Sequence, residues 1–230
     1  MKFPFRSRKG HGIHSPFVFN LVTKVIEETA PFYAFEEIEN FRTELLARGD
    51  TLSKITAKEA QPPNYGKLLF RIVHYFKCRN ILEIGASTGI TSLYLALARH
   101  LPITGAGTEA GSDLCRANTF DLIVIHRLPA GTTAELLLEQ LRPTIGENTL
   151  IVVDSIYKQP EMKHLWQLLQ QEGSSLCQNF SQNPSQSPCQ RPSQRLCQST
   201  ISLDLKHLGM VFFNQSLPKK QYKIYFNGKR

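Results

Sequence analysis

The run Asn80-Ile81-Leu82-Glu83-Ile84 leads straight into Gly85-Ala86-Ser87-Thr88-Gly89, and Ile90, Leu93, Tyr94 and Leu97 follow at helical spacing. A short apolar run, a glycine-bounded turn and an apolar stripe of period 3.6 read as strand, turn and helix. That order sets the unpaired N–H groups of a helix start against the carboxyl end of a buried strand. Open α/β sheets bind ligands at such a place. The small residues of the turn let the backbone approach a ligand closely. The spacing is not the G-x-G-x-x-G of dinucleotide-binding folds.

The alternation continues downstream. Ile103–Thr108, Asp121–Ile125, Thr149–Val153, Ile201–Leu205, Met210–Phe213 and Tyr222–Phe226 read as strands. Helices are expected at Ala134–Leu141 and from Pro160 onward. Upstream, Ser15-Pro16 has the form of a helix cap followed by a first-turn proline. Further helices are expected over Phe35–Ala47 and around Leu69–Phe76, with a linker bounded by Gly49-Asp50 and Gln61-Pro62-Pro63. These elements predict an α/β fold with a mainly parallel sheet covered on both faces. An antiparallel strand pair closes it, and an N-terminal helical segment at 1–78 precedes the sheet domain at 79–230.

Composition narrows the class. The chain has 230 residues, 41% hydrophobic and 20% charged, which suits a globular fold. No apolar run approaches the ~18 residues of a membrane helix, and no apolar core follows the basic N-terminus. A cytoplasmic protein is therefore expected, with no membrane partner. Five cysteines without CxxC spacing form neither a disulfide framework nor a zinc signature. The net charge of +8 sits at the ends: residues 1–9 carry +4 and residues 217–230 carry +5, leaving the body at −1. Such ends fit solvated tails better than a nucleic-acid groove. Residues 177–200 form six tandem [CS]-Q-x-x tetrapeptides, interrupted by Pro184, Pro188 and Pro192. With few large apolar groups and no route to a regular helix, residues 174–200 are expected to be a disordered insert.

E-x-G-x-S-x-G over Glu83–Gly89 resembles motif I of class I S-adenosylmethionine-dependent methyltransferases. The resemblance extends along the chain. RKGHGIHSPFVFNLV, NYGKLLFRIV, ILEIGASTGITSLYLA, FDLIVIH, LIVVDSIYKQPEMKHLW and LDLKHLGMVFF, in that order, are similar to a group of bacterial methyltransferases found chiefly among Bacteroidetes. It implies a Rossmann-like sheet of the methyltransferase type, with S-adenosylmethionine as cofactor. It further implies that Glu83, Gly85, Ala86, Ser87 and Gly89 hold the methionine end, and that Glu109, 20 residues after Gly89, binds the ribose hydroxyls.

The chain also departs from that pattern. Only 11 residues separate Glu109 from Asp121, too few for the helix and strand that the family places there to wall the adenine. Where related O-methyltransferases carry a metal-binding Asp, this chain has His126. Where they carry an Asp-Asn pair, it has Asp154-Ser155. No metal is therefore expected, since hard Mg²⁺ prefers carboxylates and water to imidazole. His126 and Asp154 become the candidates for taking the acceptor's proton. The expected reaction is methyl transfer to a small-molecule O or N acceptor. Three alternatives remain: a methyltransferase-like binding protein without catalysis, an RNA methyltransferase guided by the basic ends, and an α/β-hydrolase. The hydrolase reading takes Gly85–Gly89 as a nucleophile elbow, with Ser87, Asp154 and His207 as the triad.

Overall fold

The computed structural model describes residues 12–86, 88–99, 104–106, 119–171 and 199–226. Its centre is a seven-stranded sheet in the order β2-β1-β3-β4-β6-β5-β7. The strands are β1 (Ile81–Ile84), β2 (Thr104–Ala106), β3 (Phe120–Ile125), β4 (Ile145–Asp154), β5 (Ile201–Asp204), β6 (Leu208–Phe212) and β7 (Lys220–Lys223). Strands β2, β1, β3 and β4 run parallel. The β6 strand is antiparallel to both β4 and β5, and β7 returns parallel to β5 at the edge. The fold is therefore mixed α/β, mainly parallel, with an antiparallel pair toward the C-terminal edge.

Strand side chains alternate between two apolar layers, as a pleated strand requires. Leu122, Val124, Leu150, Val152, Met210 and Phe212 join one layer. Ile123, Ile125, Ile151, Val153, Val211 and Phe213 join the other. The second layer is covered by α6 (Ala134–Leu141) and α7 (Pro160–Gln171), through Leu137, Leu141, Leu165 and Trp166. Trp166 lies where a Cβ on Gly209 of β6 would sit, 2.4 Å from the ring, so only glycine lets the indole seat on the sheet.

The first layer is covered by α5 (Ile90–Leu97) together with the N-terminal helices, all but α3 joining one apolar cluster. These are α1 (Pro16–Leu21), which continues as a π-helical turn over Val22–Ile26, α2 (Tyr33–Ala47), α3 (Thr51–Glu59) and α4 (Pro63–Phe76). Ser15 caps α1 as expected, its hydroxyl accepting from Val18 N at 3.4 Å. The Phe17 ring meets Phe212 edge-on at 5.0 Å. Buried Arg71 of α4 donates from Nε to Val25 O at 2.8 Å, satisfying a carbonyl of the π-helical turn. Among the described residues, no helix is long and apolar enough to cross a membrane.

Two expectations are corrected. The linker expected over 49–63 contains α3. Gly49 leaves α2 with φ +70, and Asp50 restarts a helix by accepting from Ser53 N at 2.7 Å. The helix escapes a search for apolar periodicity because its buried positions are polar, Ser53 and Thr56. The repeat tract also ends earlier than expected. Ser199 and Thr200 are buried, and Thr200 bonds through its backbone to Phe212 and Lys220, both at 2.8 Å. The rest of the tract, residues 172–198, lies outside the described residues.

Candidate functional site

Strand order reverses beside β1: β2 lies on one side and β3 and β4 on the other, so the carboxyl ends of β1, β3 and β4 flank a switch point. Each of these ends delivers one ionisable residue. Glu83 lies in the last turn of the pleat of β1, 2% exposed. His126 follows β3 directly, and its backbone N–H donates to Ile84 O at 3.0 Å, tying the two strand ends together. Asp154 is the final residue of β4, 3% exposed.

The three side chains form a row. His126 Nε2 lies 2.9 Å from Glu83 Oε1, and Nδ1 lies 3.9 Å from Asp154 Oδ2. Glu83 Oε2 also accepts from the Ser92 hydroxyl of α5 at 2.5 Å. Burial alone would push the imidazole toward its neutral form, but the Asp154 and Glu83 carboxylates outweigh it and raise the His126 pKa to about 9. At neutral pH His126 is an imidazolium, and both its ring nitrogens are donors.

The turn after β1 explains its glycines. Gly85 has φ +71, and a Cβ there would lie 2.6 Å from the backbone oxygen of Arg127. Gly89 has φ +74, with nothing within 4 Å of the Cβ position. Gly89 is the N-cap of α5 and, having no side chain, makes no capping bond to the first N–H groups of that helix. Ala86 and Thr88 complete the described part of the loop. A cavity of about 290 Å³ lies between this turn, His126, Asp154 and Lys158. Its charged lining is mixed: Glu59, Glu83 and Asp154 against His126, Arg127 and Lys158. Ser87 and Glu109 lie outside the described residues. The imidazole beside Asp154 is that of His126. Among the described residues, no group of three His, Cys, Asp or Glu side chains has the geometry of a metal site.

Two residues that sequence reasoning passed over belong to this cluster. Gln61 donates from Nε2 to Asp154 Oδ2. Tyr65 of α4 is buried, its ring centroid 6.1 Å from that of His126, and its hydroxyl has no partner among the described residues. Burial, then the Asp154 and Glu83 charges, hold the Tyr65 proton on well above the usual phenol range. Neither carried a spacing signal: Gln61 lies in the junction between α3 and α4, and Tyr65 in the first turn of α4, both far in sequence from the strand ends. A larger depression of about 1170 Å³, between Glu28, Phe32, Lys67 and Tyr225, contains none of the residues singled out above. Its buried cation, Arg71, already bonds the chain's own backbone.

No family model and no curated protein matches the chain. Several solved structures share parts of its fold. The SAH-bound methyltransferase PaMTH1 of Podospora anserina is 13% identical with a TM-score of 0.47, over 81% of this chain and 90% of that one. An O-methyltransferase from Bacillus cereus in complex with SAH is 15% identical with a TM-score of 0.43, over 85% and 97%. The MycE methyltransferase of the mycinamycin biosynthetic pathway, in complex with Mg, SAH and mycinamycin VI, is 16% identical with a TM-score of 0.42, over 86% and 60%. At these identities and TM-scores the likeness assigns neither family nor activity.

Proposed function

We propose that this chain is an S-adenosylmethionine-dependent methyltransferase acting on a small-molecule O or N acceptor. The observation that supports it most is the Glu83–His126–Asp154 row at the sheet's switch point, set against the start of α5 at Gly89. The residues fit the methionine end of the cofactor. Gly85 and Gly89 take the positive φ that the turn requires, and the cavity offers charges of both signs to an ammonium and a carboxylate. Glu109 remains the candidate for the ribose on the strength of its place in the sequence. When bound, the cofactor supplies an electrophilic methyl group.

The chain's own residues then have two tasks: to align the acceptor and to remove its proton. At neutral pH the His126 imidazolium already holds its proton, so Asp154 is the residue that takes one. His126 keeps both carboxylates in place and offsets their charge. For His126 itself to act as the base, the pH would have to rise past about 9. This base needs no metal, and His126 and Ser155 stand where the resemblance would place a carboxylate and an amide on hard Mg²⁺.

Incubation with methyl-labelled cofactor, a panel of small hydroxyl and amine acceptors, and a chelator tests the proposal. Label is expected in a small-molecule product with chelator present. Label appearing only when Mg²⁺ is restored would contradict the metal-free step. Label entering RNA instead would favour the alternative acceptor.

A further inference from the structure

Gln61 lies in the junction between α3 and α4, yet its carboxamide reaches the end of β4. Its backbone is held from behind. Arg42 Nη1 donates to Gln61 O at 2.7 Å, and Arg42 Nε donates to Glu39 at 3.2 Å. The Tyr94 hydroxyl of α5 donates to the same Glu39 at 2.6 Å. The bonds from Ser92 through Glu83 to His126 also start on α5, so the two sets of contacts meet across the 3.9 Å between His126 and Asp154.

The two sides of the imidazolium differ. Glu83 is in full hydrogen-bond contact at 2.9 Å, whereas Asp154 stands off at 3.9 Å, beyond hydrogen-bond reach. The Asp154 oxygen facing Nδ1 is the one already occupied by Gln61. A carboxylate that closed on the imidazolium would be stabilised in its charged form and would be a weaker proton acceptor. A neutral amide donor stabilises that charge less than a cation does.

We propose that Gln61 is a positioning residue of the active site: by holding Asp154 short of a hydrogen bond with His126, it keeps that carboxylate available for the acceptor's proton. This rests on the reading of Asp154 as proton acceptor, and it assigns the N-terminal helices a part in the chemistry beyond covering the sheet.

NMR titration of the His126 imidazole in the whole chain tests the assignment. Gln61→Met keeps the length of the side chain and removes the donor. Gln61→Asn withdraws the donor by one methylene and reads the same quantity should the methionine variant not fold. The groups facing His126 are Glu83 from β1, Asp154 from β4 and Tyr65 from α4, with Glu59, Arg127 and Lys158 around the same cavity. Neither substitution changes any of them. Released from Gln61, Asp154 should close on the ring. The His126 midpoint is expected to rise by about 0.5 pH unit or more, roughly a threefold gain in proton affinity. A role confined to packing would lower the melting temperature and leave the midpoint in place. That result, or a fall of the midpoint, would overturn the proposal. Cofactor binding by the unaltered protein is measured separately, so the function and the role of Gln61 can fail independently.

Discussion

His126 joins the site to the stability of the fold. Its pKa rises from an ordinary 6.5 to about 9, so the folded chain holds this proton more tightly than the unfolded one. The stabilisation is fully present below pH 6.5 and is lost as pH climbs through about 9. A shift of this size corresponds to about 3 kcal/mol. Urea unfolding of the unaltered protein should therefore show stability falling between pH 6.5 and 9. His126→Gln should flatten that part of the curve and lower stability at pH 6.5, since two buried carboxylates then face each other without a cation. Removing one partner of such a pair costs roughly 3–5 kcal/mol. An unchanged pH slope in His126→Gln would show that the charge is not where the geometry puts it.

At the scale of elements, the β1–α5 turn depends on two glycines for different reasons. Both have positive φ, which costs an L-residue roughly 1–2 kcal/mol. At Gly85 a methyl group also strikes the backbone of Arg127, adding roughly 1–3 kcal/mol of overpacking, whereas at Gly89 it meets open space. Thermal melts should therefore rank Gly85→Ala well below Gly89→Ala, and equal losses would contradict the close approach of the two loops. The turn was legible in the sequence because its signals are local: an apolar strand, a glycine pair and a helical stripe within one segment. Helix α3 was not, because it is marked by an Asp50 cap and not by an apolar face. The residues of the row lay in the sequence at strand ends, and so could be chosen. Their mutual geometry could not, since the partners of His126 lie 43 residues upstream and 28 residues downstream. Gln61 and Tyr65 were invisible for the same reason, being brought in by packing of helices that share the sheet's apolar layer.

The whole molecule is a sheet with two apolar faces, covered on one side by α6 and α7 and on the other by α5 and the N-terminal helices. The alternating pattern of the strands foretold both faces. The strand order did not follow from it, because β6 inserts between β4 and β5 through contacts distant in sequence. The repeat tract tests how independent the sheet is of its connections. Replacing residues 177–198 by a short Gly/Ser link should shift the melting temperature by no more than a few degrees, since loop closure depends only weakly on length. Extending the replacement through Thr200 should cost more, because Thr200 bonds to Phe212 and Lys220. A fall of about 10 °C with the shorter replacement would show that the tract packs against the fold.

The claim that the strand ends hold S-adenosylmethionine is tested most directly by calorimetric titration of the whole chain with S-adenosylhomocysteine. Saturable binding with one ligand per chain is expected, with a Kd on the order of micromolar, about −8 kcal/mol. Glu83→Gln should weaken it at least about tenfold, or ~1.4 kcal/mol, through loss of the charge beneath the turn. A folded protein that gives no heat at about 1 mM ligand, far above that Kd, would contradict the account. So would binding that is indifferent to Glu83→Gln.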